Sequence, residues 1–310
     1  MKVCSVSVDV DSLNSNFKGF GLKKREYSYN EFHTGIENIL NFFARYKVNA
    51  TFFVVARDLE IEKNAVLIKK VSSAGHEIAS HSYSHPQGFR FLSHQEKKCE
   101  LEKSKEILEA ISGRKVFGFR APGWNVSDDS LPILRRHGYK YDSSVFPTSL
   151  AWILKILHYK EMRKRDRLTR TTMGHLYYSF SPSYPYHTDE KKIGRKGDLD
   201  FIEFPVQVAG FLRLPFFATF HLAYPSFIKR GYNAIKERET INYQMHLSDF
   251  VDYGKENFEG ELPEESGSYI PLSLKTKISD KMKIWENIFE MISQDYKFES
   301  LKYCAQNLIT

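Results

Sequence analysis

Apolar and polar residues alternate from Val3 to Asp11. Cys4, Val6, Val8 and Val10 fall on one side and Ser5, Ser7, Asp9 and Asp11 on the other, a two-residue period that predicts a strand. From Asn30 to Tyr46 the period lengthens: Phe32, Ile36, Ile39, Leu40 and Phe43 recur at helical spacing, and a β-branched and aromatic run, Asn49 to Val55, follows as a strand. A helix over Asn64 to Ala74 is closed by Gly75, which can take the left-handed conformation common at helix ends. The extended run after it delivers His81 and His85. Ser93 with Glu96 three residues on reads as a capping box, opening a long helix to Ser112 that Gly113 ends. Val116 to Phe119 is a further strand, then a helix near Asp128 to His137, then a strand from Tyr139 to Val145 that holds Asp142. Strands alternating with helices over short connections predict a parallel sheet, open or closed into a barrel.

In that arrangement Asp9, Asp11, His81, His85, Arg120 and Asp142 all fall at or just beyond the C-terminal ends of strands, where barrel active sites lie. Two acids at i and i+2 on one strand repel each other unless a cation or an arginine offsets them, which favours a functional role. Imidazoles four residues apart suit a divalent transition metal, provided a third protein ligand, usually a carboxylate, is near. By itself the His-x3-His spacing equally describes a polar surface loop; its place at a strand end is what raises it.

The regular pattern breaks from about residue 149 to 197. An apolar patch (Trp152, Ile153, Leu154, Ile156, Leu157) precedes the basic run Arg163-Lys164-Arg165-Asp166-Arg167 and then Tyr177, Tyr178 and Phe180. This reads as an insertion, either a solvated cap over the barrel or an interfacial amphipathic helix making a peripheral membrane contact. Order resumes at Phe201 to Val208, at Ile241 to His246, in a helix over Ser279 to Ser293 and in a strand and helix after Tyr296. With no repeat, low-complexity tract or linker, residues 1–310 read as one domain.

A formal charge of +7 favours anionic partners, but no nucleic-acid-binding motif accompanies it, and a nucleic-acid role is set aside. Cys4, Cys99 and Cys304 are few and widely spaced, which suggests neither a disulfide framework nor a thiolate metal site and fits a reducing compartment. Neither a signal-peptide apolar region nor a membrane-spanning run is evident, so the expectation is a cytoplasmic protein working at the inner face of the membrane. Among the other histidines, His76 reads as buried and hydrogen-bonded, His221 in an aromatic neighbourhood rivals His246 for a chemical role, and His33, His94, His137, His158, His175 and His187 read as surface residues.

Val8-Asp9-Val10-Asp11, Ala50-Thr51-Phe52-Phe53-Val54, Gly75-His76-Glu77-Ile78, His81-Ser82-Tyr83-Ser84-His85, Arg120-Ala121-Pro122-Gly123-Trp124, Tyr141-Asp142-Ser143-Ser144 and Met245-His246 occur in this order. Together they resemble the motifs of the polysaccharide deacetylases with a NodB-homology domain, carbohydrate esterase family 4. The resemblance implies an α/β fold, a distorted (β/α) barrel of about seven parallel strands carrying a helical and aromatic insertion. It also implies roles. Asp11, His81 and His85 would hold Zn2+ or another divalent transition metal such as Co2+, Ni2+ or Mn2+; Asp9 would be the base, Arg120 would keep it ionised, and His246 would protonate the leaving amine. Trp124 and Pro122 would line the substrate, Trp124 as a wall around the acyl methyl. Two departures stand out. Val10 separates two aspartates that are adjacent in many members, a spacing that still leaves both carboxylates on one side of a strand. The segment around Asp142 lacks a tryptophan often found there, so Asp142 as a partner tuning His246 stands beside a structural capping role. The expected function is metal-dependent removal of an N-acetyl group from an amino sugar of a glycan or its lipid-linked precursor, in surface polysaccharide biosynthesis. The alternatives are a deformylase of a lipid-linked aminosugar and a catalytically inactive glycan-binding member.

Overall fold

The computed structural model describes residues 2–15, 28–153, 155–156, 174–252 and 272–307. The basic run at 163–167 and Leu154 and Leu157 of the apolar patch lie outside them. Strand β1 (Val3–Val10) is central. Helix α1 (Asn30–Tyr46) leads to β2 (Thr51–Val54), α2 (Glu62–Ser73) to β3 (Glu77–Ser80), α3 (His94–Ser112) to β4 (Gly118–Phe119), and α4 (Ser130–Arg136) to β5 (Tyr141–Asp142). Then come β6 (Tyr186–His187), β7 (Ile202–Glu203), the hairpin β8 (Val208–Ala209) and β9 (Leu214–Pro215), α5 (Ala218–Ala223), α6 (Ile228–Asn233) and β10 (Thr240–His246). Helices α7 (Leu272–Lys275) and α8 (Ile278–Ser293), strand β11 (Lys297–Glu299) and helix α9 (Leu301–Asn307) complete the described chain.

The main sheet runs β10-β1-β2-β3-β4-β5-β7-β6, with β11 also on β1. Its first seven strands are parallel and only β6 joins antiparallel, so the expected (β/α) architecture is the one observed, as a partly closed barrel with helices outside. Between β7 and β10 the barrel is bridged by a side chain: Gln207 Oε1 accepts from the Asn242 N–H at 3.2 Å. The predicted helix ends hold where local chemistry dictates them. Ser93 and Glu96 form the reciprocal capping box of α3, and Gly113 closes it at φ 66°.

Three segments depart from the reading by pattern. The alternation in β1 is real, yet all eight of its residues are buried. Its polar side faces the barrel interior, where the register sets Ser5 beside Asn242, Ser7 beside Gln244 and Asp9 beside His246. The 201–208 stretch does not form one strand; β7 ends at Glu203, and Val208–Ala209 turns back on Leu214–Pro215 as a separate hairpin. The 149–197 insertion is not wholly outside the barrel, because β6 within it extends the sheet on β7.

Where β5 meets β7, Asp142 and Glu203 are directly paired and both fully buried. Burial, then the Asp142 charge and hydrogen bond, push the Glu203 carboxyl well above the carboxylate range, so it holds a proton toward Asp142. A pKa raised in the folded state contributes stability that is present below the unfolded value, about 4.3 for Glu, and lost as pH rises above it. Glu203→Gln keeps an acceptor for the Val145 N–H and a donor for Asp142 without titrating. Its Tm is expected to exceed wild type at pH 8 and to converge with it near pH 4, by about 2–4 °C per kcal/mol recovered. Melting curves at the two pH values check this; an equal offset at both would show that Glu203 is not protonated in the fold.

Candidate active site

Asp11 follows β1, His81 and His85 follow β3, Arg120 follows β4, and Asp9 and His246 are neighbours on β1 and β10, so all six gather at the C-terminal edge of the parallel strands. Ligand atoms of Asp11, His81 and His85 lie within 4.8 Å of one another. His81 Nε2 is 3.5 Å from Asp11 Oδ1, and His85 Nε2 is 3.9 Å from Asp11 Oδ2.

The donor set suits a divalent metal. His81 Nδ1 donates to the Arg120 carbonyl at 2.8 Å, which fixes the tautomer and turns the Nε2 lone pair toward Asp11. Burial holds both imidazoles below the ordinary histidine range, His85 at about 4, partly countered at each by the Asp9 charge. Neutral imidazole is the ligating form. The turn that carries His85 is held from two sides. Ser82 and His85 adopt left-handed φ of 66° and 57°, unusual for side-chain-bearing residues. Glu100 of α3 accepts from the Tyr83 and Ser84 N–H groups at 3.0 and 2.8 Å and from Ser84 Oγ at 2.6 Å.

Asp9 is buried. Its Oδ1 accepts from Arg120 Nη1 at 2.6 Å, and its Oδ2 from Gln244 Nε2 at 2.8 Å. Burial pushes its pKa up, but the Arg120 guanidinium, with His81 and His246, outweighs that and holds it below the carboxylate range. Arg120, fully buried, is pinned by Ser7 Oγ, the Ser143 carbonyl and Ser143 Oγ, and its guanidinium lies 4.1 Å over the Phe53 ring. His246 Nε2 faces Asp9 Oδ2 at 3.8 Å, while its Nδ1 faces Asp249 Oδ2 at 3.7 Å and Thr219 Oγ1 at 3.4 Å. Burial lowers its pKa, but the adjacent Asp249 and Asp9 carboxylates outweigh that and raise it to about 9, which favours the protonated imidazole.

Trp124, at φ 54° next to Gly123, packs its ring against Phe146 and Phe217, lies 6.4 Å from the His246 ring, and donates Nε1–H to Gln244 Oε1 at 3.1 Å. Pro122 starts the same turn and is buried.

Asp142 is not brought to His246. Its carboxylate accepts from the Ser144 N–H and Oγ, and Ser144 Oγ also accepts from the Ala121 N–H, so it braces the turn beside Arg120. The carboxylate that faces His246 Nδ1 is Asp249, three residues on and also an acceptor for the His246 N–H. His221 sits in the short helix α5 within its aromatic neighbourhood; it is fully buried, stacked on Tyr243 and bonded to its hydroxyl at 3.1 Å. His76 accepts from the Ala50 N–H between Phe43 and Phe52. Gln244, Asp249 and Glu100 were missed by motif reading. For Gln244 a signal existed: Asn242, Gln244 and His246 alternate on β10 as Ser5, Ser7 and Asp9 do on β1.

Residues 27–141 match the family described as polysaccharide deacetylase. Over these residues, little more than a third of the chain, the sequence is similar to that family. Over 111 residues it is 33% identical to a peptidoglycan deacetylase of Helicobacter pylori, covering 36% of this chain and 37% of that protein. Over 85 residues it is 28% identical to a protein of Shewanella sediminis described as a 4-deoxy-4-formamido-L-arabinose-phosphoundecaprenol deformylase, covering 26% and 28%. The chain thus spans well under half the length of these relatives. The fold extends further: a Mycobacterium smegmatis structure described as a polysaccharide deacetylase superposes at a TM-score of 0.59 with 18% identity, covering 100% of this chain and 92% of its own.

Proposed function

We propose that the chain is a metal-dependent hydrolase that removes the N-acetyl group from an amino sugar, in a glycan or its lipid-linked precursor. The observation that supports this best is geometric: Asp9, bonded to the Arg120 guanidinium at 2.6 Å, faces His246 at 3.8 Å beside the Asp11–His81–His85 cluster. A divalent ion held by that cluster would supply Lewis-acid polarisation of the acyl oxygen and of water. Asp9, ionised and oriented by Arg120 and Gln244, accepts the proton of the attacking water. His246, kept protonated by Asp249, gives its proton to the amide nitrogen as the carbon–nitrogen bond breaks, so that acetate and a free amine leave. An amine is a poor leaving group as an anion, which makes that proton necessary.

The wall formed by Trp124, Phe146 and Phe217 favours acetyl over formyl, because a formyl group has no methyl to bury there. The presence of every acid, base and ligand residue weighs against an inactive glycan-binding member. Acetate release from free, nucleotide-linked and lipid-linked N-acetylhexosamines is expected in at least one case, equimolar with new amine, abolished by a chelator and restored by Zn2+ or Co2+. No release from any of the three, or release indifferent to chelation, would overturn the reading.

A further inference from the structure

Six large apolar side chains stand out from the surface in one neighbourhood: Trp152 at 57% exposure, Ile156 at 46%, Leu176 at 55%, Phe180 at 87%, Phe211 at 99% and Leu212 at 60%. Hydrogen bonds tie their segments together. Ser149 Oγ donates to the Leu212 carbonyl, and Arg213 Nη1 donates to the Ser179 and Ser181 carbonyls on either side of Phe180, at 2.9 and 2.8 Å. Phe211 and Leu212 form the tip of the β8–β9 hairpin, turned by Gly210 at φ 71° and Arg213 at φ 46°. Phe211 keeps nearly its whole surface, so it packs against nothing among the described residues. The base of the same hairpin touches the site: Val208 belongs to the cluster of Phe146 and Phe217 that receives Trp124. From Val208 to Phe211 is three residues, about 10 Å of extended chain.

In sequence, the positive charge of the chain is concentrated in the stretch that leaves this patch at Ile156. Between residues 155 and 170 there are seven Lys or Arg against two acids, in a protein whose net formal charge is +7. The described chain leaves the patch at Ile156 and returns at Gly174, and Lys155 Nζ donates to the Gly174 carbonyl at 2.5 Å. Exposed aromatic and aliphatic side chains continuous in sequence with a basic stretch suit a bilayer with anionic headgroups, where apolar groups enter the headgroup–acyl boundary and charges stay among the phosphates. Among the described residues no helix is long and apolar enough to cross a membrane, so the contact would be peripheral.

We infer that the Phe211–Leu212 hairpin tip, with Phe180, Trp152, Leu176 and Ile156, docks on an anionic lipid surface and brings the mouth of the site to substrates anchored there. The use of that contact rests on the amino-sugar deacetylase reading; the docking does not. The test is co-sedimentation with vesicles of phosphatidylcholine, with and without phosphatidylglycerol, at low and high salt, with ultracentrifugation of the free protein. The wild type is expected to bind phosphatidylglycerol vesicles, more weakly as salt rises. The double variant Phe211→Ser/Leu212→Ser is expected to bind at least about tenfold more weakly, from the burial of two large apolar side chains. Its Tm and its rate on a soluble N-acetylhexosamine should match wild type. No vesicle binding by the wild type, or equal binding by the variant, would overturn the inference. So would concentration-dependent self-association that the variant loses without vesicle binding, since the patch would then belong to a second copy. Vesicle binding without acyl release would leave the docking standing and remove the deacetylase reading.

Discussion

Asp9→Asn is expected to lower kcat by about 10²- to 10⁴-fold while bound metal stays at the wild-type level. Asn fills the same space and lets Arg120 keep an acceptor, but it takes up no proton. It also leaves the buried Arg120 guanidinium without its counter-charge, a loss that costs up to about 3–5 kcal/mol when a buried pair is broken. The Ser7 and Ser143 contacts remain and soften that cost. Turnover therefore has to be measured well below the variant's Tm and per folded molecule, together with metal content. A fall of less than tenfold in kcat, with metal retained, would remove Asp9 as the base.

The second large effect concerns the ligands. His81→Ala deletes one of the three groups that can hold an ion and also the bond from Nδ1 to the Arg120 carbonyl. Stoichiometric metal and acyl release should both be lost, and adding excess Zn2+ should not restore full rate. Elemental analysis of the purified variant, beside activity, is the measurement. Full metal occupancy with full activity would place the metal elsewhere. The two variants separate the roles, because one should lose chemistry and keep the ion whereas the other should lose both.

How far such roles were legible depended on how local their causes are. The ends of α3 follow from Ser93, Glu96 and Gly113, all within the helix or next to it, and its span from His94 to Ser112 matches the pattern. The spacing of His81 and His85 and the alternation that carries Asp9 are equally local. The partner of His246 was not local in the same sense. Asp142 and Asp249 are both acids near strand ends, and nothing in their neighbours along the chain says which one faces the imidazole. The 201–208 stretch shows the same limit: its mostly apolar residues describe a buried strand or a strand leading into a hairpin equally well.

Alone, the amino-acid sequence determined the alternation of strands and helices, the motif order that resembles the polysaccharide deacetylases, and the small group of acids, histidines and an arginine from which a site could be built. Tertiary structure decided how those groups are used. Gln244 and Asp9 are 235 positions apart and meet because β10 lies parallel to β1 in a register that sets Asp9 against His246. That register also turned the polar face of β1 inward, where burial and a charged arginine hold the Asp9 carboxylate ionised. Pattern can say that a strand has two faces, but which face is wet depends on what packs against it, and that is set by parts of the chain far away in sequence.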